Sequence, residues 1–412
     1  MKRSPQLNKS PNKKTGNKSD CELRSDSEVQ DPLKKAVGSS GELGGAKGEK
    51  KSSEEATNPD LIGAILQDWL IGFPVLLGYR LGLFHTMAGK DYGSADEIAE
   101  AAGVKQKFTR EWLNCMTAAG LVKTNTAGTC YILSPHTSTS LQTHEYGLFF
   151  MADAAMYLYS LAFDVEDCWK LSGPDEIPLT KYVLFDKAMQ KLTEIQNRAY
   201  VTDQFVPMLP DDLQAKLLNA STCLDVRCGD GSLSRVMATA YPKSQFLGID
   251  AQLPQIQLAS GKAKSEELKN TQFVVGDFID GQPNVLLERK QQFDWITIFG
   301  KLHDYAKPVD VLKSIARLLK RDGYLSVQET NCHSNPAVNA NDPYAAILYG
   351  FNLFYWLPKK QGNYPEVSGM TWGVDKVRQV IDQAGLQLIS EAEVGLIDMH
   401  FLCKLRRPNP KV

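Results

Sequence analysis

The sequence has no Cys-x-x-Cys pair. Its eight cysteines, at positions 21, 115, 130, 168, 223, 228, 332 and 403, are scattered. That pattern excludes a zinc ribbon and predicts reduced thiols rather than a disulfide framework. Charge of one sign is also lacking. The net formal charge is −2, so no global basic excess draws the chain to nucleic acid. Long uncharged apolar runs are missing too. The longest, Tyr344–Leu357, has 14 residues and a proline on each side, short of the roughly 20 that cross a bilayer. The polar N-terminus has no signal-peptide pattern. Residues 1–57 have almost no large apolar side chains and read as a disordered polar tail. In that tail Lys2, Arg3, Lys9, Lys13, Lys14 and Lys18 precede the first acid, Asp20. A solvated tail is the plain reading and nuclear targeting the other. The expected location is cytoplasmic, with the nucleus as the alternative, and no membrane partner is expected.

What is present points to α/β architecture. With 412 residues and 43% hydrophobic content, two domains and a tail fit. The most informative stretch is Ser221–Asp250. Thr222–Val226 is a short apolar strand, and Arg227-Cys228-Gly229-Asp230-Gly231 is a tight turn. Ser232 is the expected N-cap of a helix bearing Leu233, Val236, Met237 and Ala240 at helical spacing. Gln245–Ile249 is a second strand, with Asp250 at its end. Strand, glycine turn, helix, strand and acid form the front of a nucleotide-binding sheet. An ordinary strand–helix turn has the same local pattern.

The acid placed first selects among cofactors. A carboxylate at Asp225 repels a pyrophosphate and suits a ligand ending in an ammonium group. Ser234 stands where a dinucleotide fold wants its third glycine. S-adenosylmethionine, with a ribose, a sulfonium and an amino-acid end, fits better than NAD. Asp250 is then placed for the ribose hydroxyls.

Asp225-x-x-x-Gly229-x-Gly231 with Asp250 resembles the cofactor motif of class I S-adenosylmethionine-dependent methyltransferases. That family usually has a glycine where this chain has Arg227. Two outcomes stand open for that side chain. It bends away or binds the cofactor carboxylate, or it fills the site and pairs with Asp225.

Residues 58–140 read as a winged-helix domain. A helix over Leu61–Tyr79 is interrupted near Pro74, Ser94–Glu97 is a capping box, Lys105–Ala119 is a second helix and a hairpin follows. Residues 61–140 hold six Lys/Arg and six Asp/Glu, a balance of zero. DNA binding by this fold needs a positive excess, so packing or dimerisation is expected and nucleic acid is not. The apolar first helix predicts a homodimer.

Residues 141–215 read as a helical connector, and 216–408 continue the α/β alternation with an aromatic lid insertion at 332–372. Thr271–Val275 leads to Asp277-Phe278, Phe293–Phe299 leads to His303-Asp304, Pro308–Lys320 is a helix, and Tyr324–Gln328 leads to Glu329. The fold class is therefore a doubly wound Rossmann-like sheet preceded by a winged-helix α+β domain and a helical connector.

The whole layout resembles two-domain methyltransferases, both bacterial-type winged-helix members and plant-type O-methyltransferases. The landmarks are Lys107–Leu113, Asp225–Gly231, Leu302–Asp304 and Gly373–Gly385. The resemblance implies His303 as base, oriented by Glu329, with Asp304 beside it. It implies Asp225, Arg227, Gly229, Gly231, Asp250, Asp277, Phe278 and Phe299 on the cofactor side, no metal, and a small hydrophobic or aromatic methyl acceptor. A packed histidine is the other reading of His303, and a catalytically silent, partner-binding descendant is the other reading of the chain.

Overall fold

A computed structural model describes residues 60–144, 148–279, 281, 283–287, 292–340, 342–359, 369–395 and 397–406. The polar tail, Cys21 and Gly362 of the expected lid insertion lie outside the described residues. The chain forms two compact units, Met1–Glu145 and Tyr146–Val412.

In the first unit, α1 (Leu61–Arg80), α2 (Leu83–Met87), β1 (Gly93–Ser94), α3 (Ala95–Ala102), α4 (Gln106–Ala118), β2 (Val122–Thr124), β3 (Cys130–Leu133) and α5 (Pro135–His144) follow in order. The three strands form an antiparallel sheet in the order β1-β3-β2. Ser94 and Glu97 make the capping box in both directions, and Gly103 closes α3 at φ 68°. The core gathers Leu83, Phe84, Ile98, Trp112, Leu113 and Met116.

The expected break at Pro74 does not occur, since α1 runs through it. Trp112 Nε1 donates to the Pro74 carbonyl at 2.8 Å. A Cβ on Gly78 would meet the Trp112 ring at 2.2 Å, so the missing side chain is what lets the indole lie on the helix. The helix is therefore held by tertiary contacts at the proline and one turn after it. Its earlier half is bare: Leu61, Ile62, Ile65, Leu66, Trp69 and Leu70 are all exposed. By length and composition α1 is long and apolar enough to cross a membrane.

The second unit opens with α6 (Leu148–Tyr159), α7 (Ala162–Trp169), α8 (Val183–Tyr200), a π-helical turn at Val201–Phe205, and α9 (Asp211–Asn219). Then come β4 (Thr222–Val226), α10 (Ser232–Ala240), β5 (Gln245–Asp250), α11 (Leu253–Ser265), β6 (Thr271–Val275), α12 (Asn284–Leu287), β7 (Phe293–Phe299), α13 (Pro308–Ala316) and β8 (Leu319–Thr330). The unit closes with α14 (Pro343–Phe351), a second π-helical turn at Asn352–Trp356, α15 (Val374–Gln383), β9 (Leu386–Val394) and β10 (Asp398–Leu405). The sheet order is β6-β5-β4-β7-β8-β10-β9, parallel through β8, with β10 antiparallel to both of its neighbours.

Alternate side chains of each central strand enter different cores. Leu224 and Val226 join one with Ile296, Ile298, Leu325 and Val377. Cys223 joins another with Trp295, Tyr324 and Leu213. Burial on both faces explains why these strands are continuously apolar in sequence.

Three local expectations need correction. α13 ends at Ala316, and β8 already starts at Leu319, so Lys320–Gly323 is strand and not helix end. Asp294 explains it, accepting from Lys320 Nζ and from the backbone N–H of Thr222, both across to neighbouring chain segments. The N-cap of α10 is Gly231 at φ 73°, while Asp230 takes the capping role by accepting from Ser232 N–H. Cys130 is disulfide-bonded, whereas Cys115, Cys168, Cys223, Cys228, Cys332 and Cys403 are free thiols.

Candidate active site

The cofactor-side residues converge where β4 and β5 end. Registers Asp225↔Gly248 and Asp225↔Thr297 place Asp225 between its two neighbouring strands. Its carboxylate accepts from Ser234 Oγ at 2.9 Å and from Thr297 Oγ1 at 3.1 Å. Burial pushes its pKa up to about 7, against the pull of those two hydroxyls. Asp250 accepts from Gly229 N–H at 3.1 Å and from Gln252 N–H at 2.9 Å, which fixes the glycine turn over the end of β5. Gly229 sits at φ 55° with open space where a Cβ would be. A Cβ on Gly231 would strike the Phe273 ring at 2.5 Å, so that glycine is required by packing as well as by its φ. Two buried carboxylates beside an open glycine fit a ligand with an ammonium end and a ribose.

Arg227 closes the other side. It is a non-glycine residue at φ 60°, in the region where a side chain is strained. Its guanidinium pairs with Asp277 at 2.8 Å and lies 3.8 Å from Asp304, over the Tyr305 ring at 5.3 Å. The partner is therefore not Asp225. Asp277 also accepts from Tyr305 Oη at 2.5 Å and from Phe278 N–H at 2.7 Å. Phe278 is 1% exposed within the sheet core, so its ring has no face open to a base. Phe299 is packed edge-on against Phe205 and beside His400.

At the ends of β7 and β8 stands a second buried set. His303 Nδ1 lies 2.6 Å from Glu329 Oε2. Glu329 Oε1 accepts from Leu302 N–H, and Oε2 also accepts from Trp372 Nε1 at 3.2 Å. Glu329 is wholly buried and His303 is 3% exposed. His303 Nε2 has no hydrogen-bond partner among the described residues, although Asp304 Oδ1 is only 3.5 Å away. The edge of Trp356 packs against the imidazole. Burial works against the imidazolium, but Glu329 and Asp304 outweigh it and raise the His303 pKa above 6.5. Asp304 is held below the ordinary carboxylate range: burial opposes this, and His303, Lys301, Arg227 and Lys359 outweigh it. With Nδ1 bound to a fixed carboxylate, Nε2 is the nitrogen left to exchange a proton.

The connector buttresses the glycine turn. Asn197 of α8 donates to Ser232 at 2.5 Å, and Glu194 of α8 accepts from Lys262 and Arg235. Lys262 also reaches Asp230 at 2.6 Å. These cations, led by Lys262, hold the Glu194 pKa down at about 2.

Several of these contacts lie outside the sequence reading. Thr297 shares a strand face with Trp295 and Phe299, and Ser234 sits one helical turn from the loop, so both were legible by period alone. Tyr305 follows the His-Asp pair directly. Trp356 and Trp372 come from distant segments, and nothing local points to them. Among the described residues no group of three or more His, Cys, Asp or Glu side chains is arranged for a metal ion.

The comparisons agree with this geometry. Residues 217–385 match the family model "Methyltransferase domain", and residues 70–143 match "Rv2258c-like winged HTH domain". A demethylmenaquinone methyltransferase of Lactococcus lactis is 24% identical over 208 residues, 47% of this chain and 78% of that protein. The (S)-coclaurine N-methyltransferase of Papaver somniferum is 25% identical over 167 residues, 37% of this chain and 46% of the relative. Human N-acetylserotonin methyltransferase, solved in complex with S-adenosylmethionine, superposes with TM-score 0.56 at 16% identity, covering 85% of this chain and 99% of that one. The mitomycin 7-O-methyltransferase MmcR gives TM-score 0.54 at 17% identity, covering 84% and 97%. Residues 70–143 thus match the Rv2258c-like winged-helix family and residues 217–385 the methyltransferase domain family, and the fold is that of S-adenosylmethionine-dependent methyltransferases.

Proposed function

We propose that this protein transfers a methyl group from S-adenosylmethionine to an oxygen or nitrogen of a small hydrophobic or aromatic molecule. The observation that carries this reading is the buried His303–Glu329 pair, 2.6 Å apart, with Nε2 left unpartnered. Bound at the Asp225–Gly231 loop, the cofactor supplies an electrophilic methyl on a sulfonium. His303 Nε2 takes the proton of the acceptor hydroxyl or amine, and Glu329 stabilises the imidazolium that results. Asp225 faces the ammonium end and Asp250 the ribose. Trp356 and Tyr355, stacked edge-on at 4.6 Å, present aromatic surface beside His303 and favour an apolar acceptor. The test is transfer of a labelled methyl group from the cofactor to a panel of phenols and aromatic amines. Labelled product is the expected outcome, and a panel without product weighs against the aromatic acceptor.

A second reading has one specific observation in its favour. Arg227 occupies Asp277, which suits a weak or silent methyltransferase-like protein that works by binding a partner.

We further propose a homodimer built on α1 and located in the cytoplasm, with the nucleus as the alternative. The exposed apolar residues Leu61, Ile62, Ile65, Leu66, Trp69, Leu70, Phe73 and Leu77 recur at i, i+1, i+4, i+5 spacing and share one broad face of α1, which a second copy would cover. Light scattering at micromolar concentration is expected to give twice the chain mass. A monomer, or recovery with lipid vesicles, would remove the dimer. Nucleic acid is not proposed as a partner. On α4, Arg110 is paired with Asp96 and Lys107 rests on Phe108, so the candidate recognition helix has few cations to spare.

A further inference from the structure

We infer that Arg227 is a positioning residue for the base: it holds Asp304 away from His303 Nε2 and so couples the cofactor loop to the proton acceptor. This rests on the reading of His303 as base. The chain of contacts is continuous. Asp277 binds Arg227 at 2.8 Å, Arg227 lies 3.8 Å from Asp304 Oδ2, and Asp304 Oδ1 lies 3.5 Å from His303 Nε2. Beyond the imidazole, Nδ1 meets Glu329 at 2.6 Å. The two oxygens of Asp304 face different ways. Oδ2 faces the guanidinium, and Oδ1 accepts from Trp356 Nε1 at 3.2 Å. One hydrogen-bond donor, Trp356, and one cation, Arg227, from separate segments therefore hold the carboxylate at the edge of hydrogen-bond distance from the histidine.

The strained backbone gives a reason for an arginine here. A side chain at φ 60° costs about 1–2 kcal/mol relative to glycine. Such an outlier persists where its surroundings determine it, and such residues cluster at functional sites. Here the side chain is clamped by Asp277, Asp304 and Tyr305, with only 21% of it exposed. If the guanidinium were removed, Asp304 would be free to close on Nε2. The imidazole would then lie between two carboxylates and keep its proton at neutral pH, so it could not act as a base. The guanidinium thus acts on the histidine through Asp304, which it draws off Nε2.

The groups that bear on His303 are Glu329 of β8, Asp304 and Lys301 of its own loop, and Asp398 of β10, with Trp356 and Trp372 against it. Lys359 acts on Asp304 from the segment after the second π-helical turn. Arg227 joins Asp304 to the glycine turn of the cofactor site.

The test is a histidine NMR titration of the full chain, with the His303 resonance assigned by His303→Gln. Arg227→Gln keeps size and loses charge. It is expected to raise the His303 midpoint by about one pH unit, within the range for a charge at this distance. Arg227→Lys is expected to keep the midpoint near that of the parent. In an Asp304→Asn background, Arg227→Gln is expected to have little further effect, because the carboxylate it releases is gone. An unmoved midpoint in Arg227→Gln overturns the inference, and so does a full shift in the Asp304→Asn background. Should Arg227→Gln not fold, Trp356→Phe releases Oδ1 from its other donor and is expected to move the midpoint the same way; no movement there is equally fatal. The titration reads no turnover. It can therefore fail while His303→Ala still abolishes methyl transfer, or succeed while that variant remains active.

Discussion

His303→Ala is expected to lower turnover by about 10²-fold or more, the ordinary contribution of a positioned general base, while cofactor affinity changes little. At 25 °C that loss corresponds to about 2.7 kcal/mol of transition-state stabilisation. The separation of the two effects follows from position. His303 and Glu329 stand at the ends of β7 and β8, whereas the glycine turn and Asp250 stand at the ends of β4 and β5. The pH profile carries a second signature. A base must be deprotonated to act, and the His303 pKa lies above 6.5 because Glu329 and Asp304 outweigh burial. Turnover in the parent is therefore expected to rise with pH through a midpoint above 6.5, and this limb is expected to vanish in His303→Ala. Steady-state rates across pH 5.5–9 check both. A rate unchanged by the substitution would retire His303 and leave proximity as the mechanism.

The sheet was legible because its signals are local. Apolar runs bounded by glycine, with an acid at the end of each, specify strands and the side on which they finish. Asp225, Asp250, Asp277, His303 and Glu329 therefore came out at the strand ends of one sheet. The failures were those of tertiary context. Pro74 reads as a break, but the Trp112 indole on Gly78 and the Pro74 carbonyl carries α1 through it. Lys320–Gly323 reads as a helix end, yet Asp294 draws Lys320 into strand pairing. Phe278 follows an acid at a strand end, and period alone could not tell a base-stacking ring from the core ring it is. The partner of Arg227 was the least legible feature. Asp225 is two residues away in sequence but points to Ser234 and Thr297, while Asp277 and Asp304 arrive from two other strand ends.

Arg227→Gly is expected to tighten cofactor binding by about 1–2 kcal/mol, the ordinary scale of an overpacking penalty, or roughly 5- to 30-fold in dissociation constant. Two physical terms drive the change in this direction. Glycine removes the side chain that competes with the ligand for space at the turn, and accepts φ 60° without strain. It also frees Asp277, whose carboxylate is otherwise committed to the guanidinium at 2.8 Å. Stability moves the other way. Asp277 and Asp304 lose a cation in a largely buried setting, so the unliganded variant is expected to melt at a lower temperature than the parent. Tyr305 Oη and Phe278 N–H remain on Asp277 and limit that loss. The same variant separates affinity from rate. If Arg227 also keeps Asp304 off His303, then Arg227→Gly binds the cofactor more tightly yet turns over more slowly at neutral pH, and the rate recovers as the pH is raised. Calorimetry on both proteins reads the affinity, and the pH–rate profile reads the second effect. Weaker binding in Arg227→Gly would make the arginine a ligand contact, with the cofactor carboxylate as its partner, and would end the steric account. If neither protein binds at millimolar cofactor, methyl transfer itself falls, and the chain is a methyltransferase fold kept for binding a partner.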